Sequence, residues 1–218
     1  MTVSRETSEP RPEPETEPAE AAALFGSGID QARAFARALA AEGERRGLIG
    51  PAEPGRLWTR HILNSALLAP LTHGVAADIG SGAGLPGLVC AIVRPDVAWT
   101  LIEPIQRRAE WLTEQAADLG LRNVRVVRCR AEEWREGPVF DVVTARAVSA
   151  LRTLIPLAVP LARPGGELIL LKGEGVDREI EAAQRQITAA RLSEARSETL
   201  GVGVTREPTR VFRAGVPV

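Results

Sequence analysis

The stretch Val75-Ala76-Ala77-Asp78-Ile79-Gly80-Ser81-Gly82-Ala83-Gly84-Leu85-Pro86-Gly87 decides the fold of this chain. Its first five residues read as a short buried strand, and a glycine-rich turn follows them. Pro86 suits the first turn of a helix, because its missing N–H would have no hydrogen-bond partner there anyway. The order of strand, glycine turn and helix predicts the first unit of an α/β sheet, with a ligand beside the turn.

Predicted strands and helices alternate along the chain after this stretch. Strands are predicted at residues 98–102, 124–127, 140–144 and 167–171, and closing antiparallel strands near 198–204 and 209–212. Helices are predicted at residues 105–119, 151–161 and 178–190. Such alternation implies a parallel sheet covered on both faces. We therefore predict an α/β, Rossmann-like fold with a mostly parallel seven-stranded sheet and helices on both faces.

The residues before the sheet divide into two segments of different composition. Residues 1–22 contain six glutamates, two arginines and four prolines, which gives a net charge of −4 and predicts a disordered acidic tail. Residues 23–72 show helical spacing of apolar residues at 24–48 and 56–71, with a loop rich in proline and glycine between them. They predict an N-terminal helical extension packed on a core of residues 73–218.

The bulk composition limits where the chain can work. It is 44% hydrophobic, enough for a sizeable core, but no apolar run approaches the ~20 residues that cross a bilayer. The acidic, proline-rich N-terminus does not have the pattern of a secretory signal. Cys90 and Cys129 are the two cysteines, which fits a reducing compartment and is too few for a cysteine-only metal site. We expect a soluble cytoplasmic monomer without a metal ion or a membrane partner.

The glycine turn by its spacing alone fits two kinds of ligand. Residues 82–87 satisfy the Gly-x-Gly-x-x-Gly dinucleotide fingerprint, and Glu103, about 20 residues later, is placed to bind a ribose. The carboxylate of Asp78, however, would repel a pyrophosphate and suits a ligand with ammonium and sulfonium charges. Glu103 ends the second predicted strand, where it can accept both ribose hydroxyls of an adenosine. These acids favour S-adenosylmethionine and a class I methyltransferase fold. The predicted cofactor residues here are Asp78, Gly80, Gly82, Gly84 and Glu103.

Two further candidates follow the third and fourth predicted strands. An acid at Glu132 can accept a hydrogen bond from an adenine amino group, beside the backbone of Ala131. A solvated acid in a first helical turn would explain Glu132 equally well. Arg146 lies where methyltransferases place residues between cofactor and substrate. The chain has 26 arginines, so an ordinary surface arginine is the alternative for Arg146.

Two more candidates are Lys172 and His61. Lys172 ends the fifth predicted strand and is the chain's only lysine, which suggests that this position needs a compact ammonium. The alternative is that a lysine stands at this strand end by chance. His61 lies four residues before Ser65 and shares a helical face with it. A lone helical histidine is more often structural than functional. With His73 as the only other histidine, no metal site is predicted.

Absent motifs narrow the group that a methyltransferase of this sequence would modify. The chain has no tyrosine and no Asn/Asp-Pro-Pro-aromatic motif, the motif that binds an exocyclic amino group. A single lysine excludes the two-lysine tetrad associated with ribose 2′-O transfer. Neither cysteine lies in a Pro-Cys loop suited to attack on a pyrimidine C5. A nucleophile that needs no base remains, such as guanine N7, for which the enzyme mainly positions the reactants.

Five segments, in this order along the chain, resemble one known family. They are Arg60-His61-Ile62-Leu63-Asn64-Ser65, residues 78–87, Ile92-Val93-Arg94-Pro95, Thr144-Ala145-Arg146-Ala147 and Leu171-Lys172-Gly173. Over residues 24–174 the chain resembles the RsmG family, also called GidB, the bacterial small-subunit ribosomal RNA guanine-N7 methyltransferases. Two departures are Asn64, where the family often has Asp, and a C-terminal end with fewer basic residues.

The resemblance implies a cofactor, a partner and a set of site residues. S-adenosylmethionine would be contacted at Gly80, Leu85, Glu103, Ala131, Glu132 and Arg146. The partner would be 16S ribosomal RNA or the small ribosomal subunit, with Arg146, Lys172 and His61 orienting the guanine or its phosphates. Two rival functions are a small-molecule methyltransferase with the same cofactor and a non-catalytic RNA- or dinucleotide-binding module.

Overall fold

A computed structural model describes residues 13–218 of the chain and places seven strands in one sheet, in the order β3-β2-β1-β4-β5-β7-β6. The strands are β1 (Val75–Ile79), β2 (Ala98–Ile102), β3 (Val124–Val127), β4 (Phe140–Arg146), β5 (Ala162–Lys172), β6 (Ser193–Leu200) and β7 (Thr209–Gly215). Strand β7 runs antiparallel to β5 and β6, and the other pairs are parallel. This arrangement confirms the predicted fold.

Eight α-helices accompany the sheet within the described residues. They are α1 (Ala21–Phe25), α2 (Ile29–Glu42), α3 (Asn64–Ala66), α4 (Gly87–Val93), α5 (Gln106–Asp118), α6 (Leu151–Ala158), α7 (Val176–Ala182) and α8 (Gln184–Ala189). The observed bounds of β1, β2 and β3 equal the predicted ones. Strand β5 begins earlier than predicted, since the Gly165-Gly166 turn lies inside it at an irregularity of the β4–β5 register. A Cβ at Gly166 would lie 2.9–3.0 Å from three main-chain carbonyl oxygens, so only glycine fits there.

Two apolar clusters cover the two faces of the sheet. Neighbouring residues of β1 point to opposite faces, so Ala76 belongs to one cluster and Ala77 to the other. The first cluster joins α1, α2 and α3 to α4, β2 and α5, and the second packs α6 and α8 on the sheet. At Gly28 the extension approaches α4 so closely that a Cβ would lie 2.8 Å from Ile92 Cγ2. The extension and the sheet therefore share one hydrophobic core.

The segment before the sheet departs from the single helix predicted over residues 56–71. Leu57–Leu63 winds as a π-helix, α3 follows as a short α-helical turn, and Ala69–Leu71 forms a 3₁₀ turn. π-Helical turns are rare in proteins, and those that occur often lie at functional sites. The prediction of one regular helix is therefore wrong, because the apolar periodicity records which face is buried and not how tightly the backbone winds.

Of the predicted acidic tail over residues 1–22, the structure describes residues 13–22, and residues 1–12 lie outside the described residues. The backbone N–H of Glu15 donates to the carbonyl of Pro54 at 2.9 Å, and its carboxylate accepts from the N–H of Thr59 at 3.0 Å. Glu17 forms a bidentate ion pair with Arg33. These contacts hold the segment against the extension, and α1 begins at Ala21. Within residues 13–218 no helix has the length and apolar character to span a membrane.

Candidate functional site

The glycine loop between β1 and α4 has a backbone conformation that favours glycine at three positions. Gly80, Gly82 and Gly84 have φ angles of +65°, +54° and +97°. Residues other than glycine rarely adopt this region of backbone conformation. The N–H of Gly80 donates to the carbonyl of Ile102 at 2.8 Å, which anchors the loop to the end of β2. A Cβ at Gly82 would meet only the carbonyl oxygen of Gly80, at 3.7 Å. The loop is therefore open to a ligand at Gly82.

Asp78 lies beneath the loop and is fully buried. One carboxylate oxygen accepts a hydrogen bond from the N–H of Gly87 at 3.0 Å, and Thr144 Oγ1 lies 3.4 Å from the other. Burial raises the pKa of Asp78 to about 7, against the lowering effect of its hydrogen bonds. The carboxylate thus joins the end of β1 to the start of α4.

Glu103 ties the end of β2 to the glycine loop and is only 2% exposed. Its two carboxylate oxygens accept hydrogen bonds from the N–H groups of Gly82 and Ile105, both at 2.9 Å. A carboxylate oxygen has two lone pairs, so each oxygen can still accept a hydrogen bond from a ligand. Glu103 and Gly82, predicted to share one ligand, therefore lie in direct contact.

Three other predicted cofactor residues lie after the ends of β1 and β3. Leu85 is buried in the cluster that joins the extension to the sheet, and Ala131 is buried in the cluster on the opposite face. Glu132 is exposed in the 3₁₀ turn after β3. The neighbouring Glu133, not Glu132, closes that turn by accepting a hydrogen bond from the N–H of Arg130.

Arg146, at the end of β4, is bonded to the π-helical segment. Its Nη1 donates to the carbonyl of His61 at 3.1 Å and to Ser65 Oγ at 3.3 Å. Its Nη2 donates to the carbonyl of Arg60 at 3.1 Å and to His61 Nδ1. Burial, together with the nearby charge of Arg60, lowers the pKa of Arg146 to about 10. The side chain remains charged near neutral pH and fixes the extension to the sheet.

His61 lies between Arg146 and Glu53, whose carboxylate is hydrogen-bonded to His61 Nε2. Burial and the charge of Arg146 lower the pKa of His61 to about 4, with Glu53 opposing them. Glu53 also accepts a hydrogen bond from Arg56 at 2.6 Å. Burial acts to raise the pKa of Glu53, but the hydrogen bonds from Arg56 and His61 outweigh it, so this pKa is lowered. The ring is therefore neutral and the carboxylate ionised near neutral pH.

Lys172, at the end of β5, holds the connection between β4 and α6. Its ammonium donates to the carbonyl of Ser149 at 2.6 Å and pairs with Glu179 at 2.9 Å, with 9% of its side chain exposed. Glu179 also accepts a hydrogen bond from the N–H of Leu151 at 2.9 Å. A guanidinium is wider than an ammonium and would not occupy the same place.

These groups line one cleft of about 960 Å³ between the extension and the ends of β4 and β5. The cleft wall contains the predicted residues His61, Arg146 and Lys172, which the structure thus brings together. Val148 connects the cleft to the glycine loop, since a Cβ at Gly80 would lie 2.9 Å from Val148 Cγ2. Within residues 13–218, no group of three or more His, Cys, Asp or Glu side chains is placed to bind a metal ion.

Sequence reasoning missed Glu53 and Glu179, the two acids on which His61 and Lys172 depend. Glu53 follows the loop proline Pro51, and Glu179 lies on α7, so neither belongs to a motif. Their partners are 8 and 7 residues away, respectively, as the hydrogen bond and the ion pair show. A single sequence carries no signal for such pairs.

Comparison with known proteins places the chain in a family. Residues 28–206 match GidB, described as rRNA small subunit methyltransferase G. The chain belongs to the GidB family. It is 57% identical over 203 residues to the ribosomal RNA small subunit methyltransferase G of Leifsonia xyli subsp. xyli, covering 93% of this chain and 97% of that protein. The corresponding protein of Corynebacterium glutamicum (strain ATCC 13032) is 43% identical over 202 residues, with 90% and 91% covered.

Solved structures with low sequence identity share the fold of this GidB chain. Precorrin-6y C5,15-methyltransferase from Geobacter metallireducens has a TM-score of 0.53 at 17% identity, covering 77% of this chain and 90% of that one. P. horikoshii TYW2 in complex with MeSAdo has a TM-score of 0.57 at 13% identity, covering 72% and 63%. The predicted family and the predicted methyltransferase class are confirmed.

Proposed function

We propose that this chain transfers a methyl group from S-adenosylmethionine to N7 of a guanine in small-subunit (16S) ribosomal RNA. Family membership supports the ribosomal RNA of the small subunit as the substrate, because the relatives are named for that activity. The cofactor and the atom that accepts the methyl group are supported by the geometry of the glycine loop and of the cleft. The proposed site residues all come from one chain, which supports a monomer, and a ribosomal RNA substrate supports action in the cytoplasm.

The loop between β1 and α4 fits the proposed cofactor. Gly82 leaves a cradle that a side chain would fill, and the Glu103 carboxylate keeps lone pairs for two ribose hydroxyls. Asp78 supports this cradle from below through Gly87. Leu85, Gly84, Ala131 and Glu132 would complete the site around the adenosine. S-adenosylmethionine supplies an electrophilic methyl group on a sulfonium centre.

The hydrogen bonds of the cleft carry the proposal of a base-free reaction. His61 offers its Nδ1 lone pair to Arg146 and is bonded to Glu53 through Nε2. Lys172 is bound by Ser149 and Glu179. Neither His61 nor Lys172 is free to take a proton from a substrate, because the Nδ1 lone pair of His61 faces Arg146 and the ammonium of Lys172 has no lone pair. Guanine N7 needs no such step, because its lone pair is already available, so these residues have only to position the base.

The test of this function is methyl transfer by the purified full-length chain. We expect small ribosomal subunits incubated with the protein and S-adenosylmethionine to yield 7-methylguanosine on nucleoside analysis. Naked ribosomal RNA and a set of metabolites serve as competing acceptors. A different methylated nucleoside would refute the N7 assignment, and methylation of a metabolite alone would favour the small-molecule rival. Calorimetry that found tight NAD binding and none for S-adenosylhomocysteine would favour a dinucleotide-binding module.

A further inference from the structure

One histidine ring lies between two charged side chains where the extension meets the end of β4. Glu53 precedes the π-helical segment, His61 lies within it, and Arg146 ends β4. The three side chains form the row Glu53–His61–Arg146, which crosses from the extension to the sheet at the wall of the cleft. The row shares no residue with the glycine loop.

The partners of the ring determine which nitrogen holds its proton. A guanidinium only donates hydrogen bonds, so His61 Nδ1 must present its lone pair to Arg146. In the neutral ring the proton is then on Nε2, from which it is donated to the carboxylate of Glu53. A charged ring would place a second N–H against the guanidinium. Arg60, 4.0 Å from Glu53, adds a further positive charge nearby.

We propose that Glu53 is a positioning residue of the methyl-transfer site: it accepts the Nε2 proton of His61, so that the ring's Nδ1 lone pair faces Arg146 and fixes the guanidinium at the cleft wall. The inference rests on the function proposed above, in which Arg146 helps to position the guanine. In this proposal Glu53 acts through His61 and not directly on the methyl donor or the guanine.

The other contacts of Arg146 show why the orientation of the His61 ring matters. Four N–H groups of Arg146 are used by the π-helical segment and Ser65, and only one of the four acceptors, His61 Nδ1, depends on a movable ring. A 180° flip of that ring would turn a carbon toward Arg146 and remove this acceptor. Glu53 prevents the flip because it binds Nε2, and Arg56 holds the carboxylate in place at 2.6 Å.

Kinetics of two variants test the need for an acceptor at this position. Glu53→Leu keeps similar bulk without an acceptor, whereas Glu53→Gln keeps an amide oxygen. We expect Glu53→Leu to lower kcat on small ribosomal subunits about tenfold or more, since small misplacement is costly in group transfer. We expect Glu53→Gln to stay within about threefold of wild type, because a neutral acceptor replaces a charged one. Affinity for S-adenosylhomocysteine should change little in either variant.

Nitrogen-15 NMR of the ring gives a readout that a merely structural role would not move. The chain has two histidines, so the His61 signals can be assigned by comparison with a His73→Gln variant. Wild type and Glu53→Gln should show a neutral ring with the proton on Nε2, and Glu53→Leu should show a loss of that single state. Glu136→Leu is the matched control, because Glu136 is half exposed and pairs with Arg125 away from the cleft.

The outcomes separate this inference from the proposed function. A wild-type ring protonated on Nδ1, or a Glu53→Leu enzyme with wild-type kcat, overturns the role of Glu53. If Glu53→Leu fails to fold, the Glu53→Gln variant provides the test. A tenfold loss of kcat in Glu53→Gln with the wild-type ring state would also overturn the role of Glu53. A wild-type protein that methylates no RNA refutes the proposed function, and the NMR result on the ring still stands.

Discussion

At the scale of single residues, three buried or half-buried acids differ in their tasks because they differ in their partners. Asp78 accepts from the N–H of Gly87 beneath the loop, and Glu103 accepts from two N–H groups at the loop's edge. Glu53 accepts from two side chains, Arg56 and His61. Only Glu103 joins the glycine cradle to the strand end where a ribose is expected, so it is the acid whose loss should most affect cofactor binding.

We predict that Glu103→Ala weakens S-adenosylhomocysteine binding by roughly 10–100-fold, the loss expected for charge-assisted hydrogen bonds of about 1.5–3 kcal/mol. Isothermal titration calorimetry measures the effect, with Glu136→Ala as an exposed glutamate control. Thermal unfolding of both variants shows whether the loop itself is damaged. Unchanged affinity in Glu103→Ala would remove Glu103 from the cofactor site.

We predict that His61 makes the protein less stable as the pH falls from about 6.5 towards 4. The folded-state pKa of about 4 lies below the ordinary histidine pKa of 6.5, so the unfolded chain binds the proton first. The groups that face the ring are Glu53, Arg146 and Arg60. Relative to His61→Gln, the free energy of unfolding should fall by roughly 2 kcal/mol between pH 7 and pH 5. This comparison cancels the opposite contribution of Asp78, whose pKa is raised. An equal pH dependence of the two proteins contradicts a neutral buried ring.

Single residues were predictable from the sequence where a local pattern reveals them. The glycine spacing and the acid at the end of β2 predicted that Gly82 and Glu103 share one ligand, and the structure places the two residues in direct contact. The roles of Glu53 and Glu179 were not predictable, because each acts through a side chain on another element and no local periodicity links the two. Asp78 was predicted as a ligand of the cofactor, and its deep burial suggests a supporting role through Gly87.

At the scale of elements, the connection between β4 and α6 is held by a charge pair from β5 and α7. Lys172 binds the carbonyl of Ser149, and its partner Glu179 binds the N–H of Leu151. The pair therefore fixes both ends of the residues that line the cleft beside Gly80. Its loss should loosen this connection without disturbing the sheet.

We predict that Glu179→Gln increases amide hydrogen exchange at residues 147–151 and lowers stability by about 1–3 kcal/mol, because the buried Lys172 ammonium loses its counter-charge. Hydrogen-exchange mass spectrometry measures the first effect and chemical denaturation the second. Asp177→Asn is the matched control, since Asp177 lies on the same helix and binds Arg210 and Ser197 at the surface. Equal exchange in the two variants would show that the pair does not hold this connection.

Strand positions were more predictable than helix geometry. The alternation of apolar strands with helices predicted β1, β2 and β3 with their observed bounds, since each is a short apolar run bounded by turn residues. The π-helical winding of Leu57–Leu63 was not predictable, because its geometry accompanies long-range hydrogen bonds from Arg146 on β4. Those contacts exist only once the sheet has formed.

At the scale of the whole molecule, the N-terminal extension is part of the core. Phe35, Leu63 and Leu68 are fully buried in the same cluster as Leu88 and Trp99 of the sheet domain. Removal of the extension would expose this apolar face to water, at about 25 cal/mol per Å² of apolar surface. It would also remove Glu53 and His61 from the cleft.

We predict that a fragment of residues 73–218 does not fold on its own, whereas the full-length chain unfolds in one cooperative transition. Circular dichroism of the fragment, and fluorescence of Trp58 and Trp99 in single-tryptophan versions of the full chain, test this expectation. Coincident transitions for the two tryptophans support a shared core. A stable fragment with native helical content would show that the extension is a separate unit.

The central claim, methylation of a small-subunit ribosomal guanine at N7, is tested most directly in cells. The measurement is chemical cleavage mapping of 7-methylguanosine in 16S ribosomal RNA from cells with and without this protein. We predict one site of modification that disappears without the protein and returns when the wild-type chain is supplied, but not when Glu103→Ala is supplied. A cleavage pattern that is identical in both kinds of cell would contradict the claim.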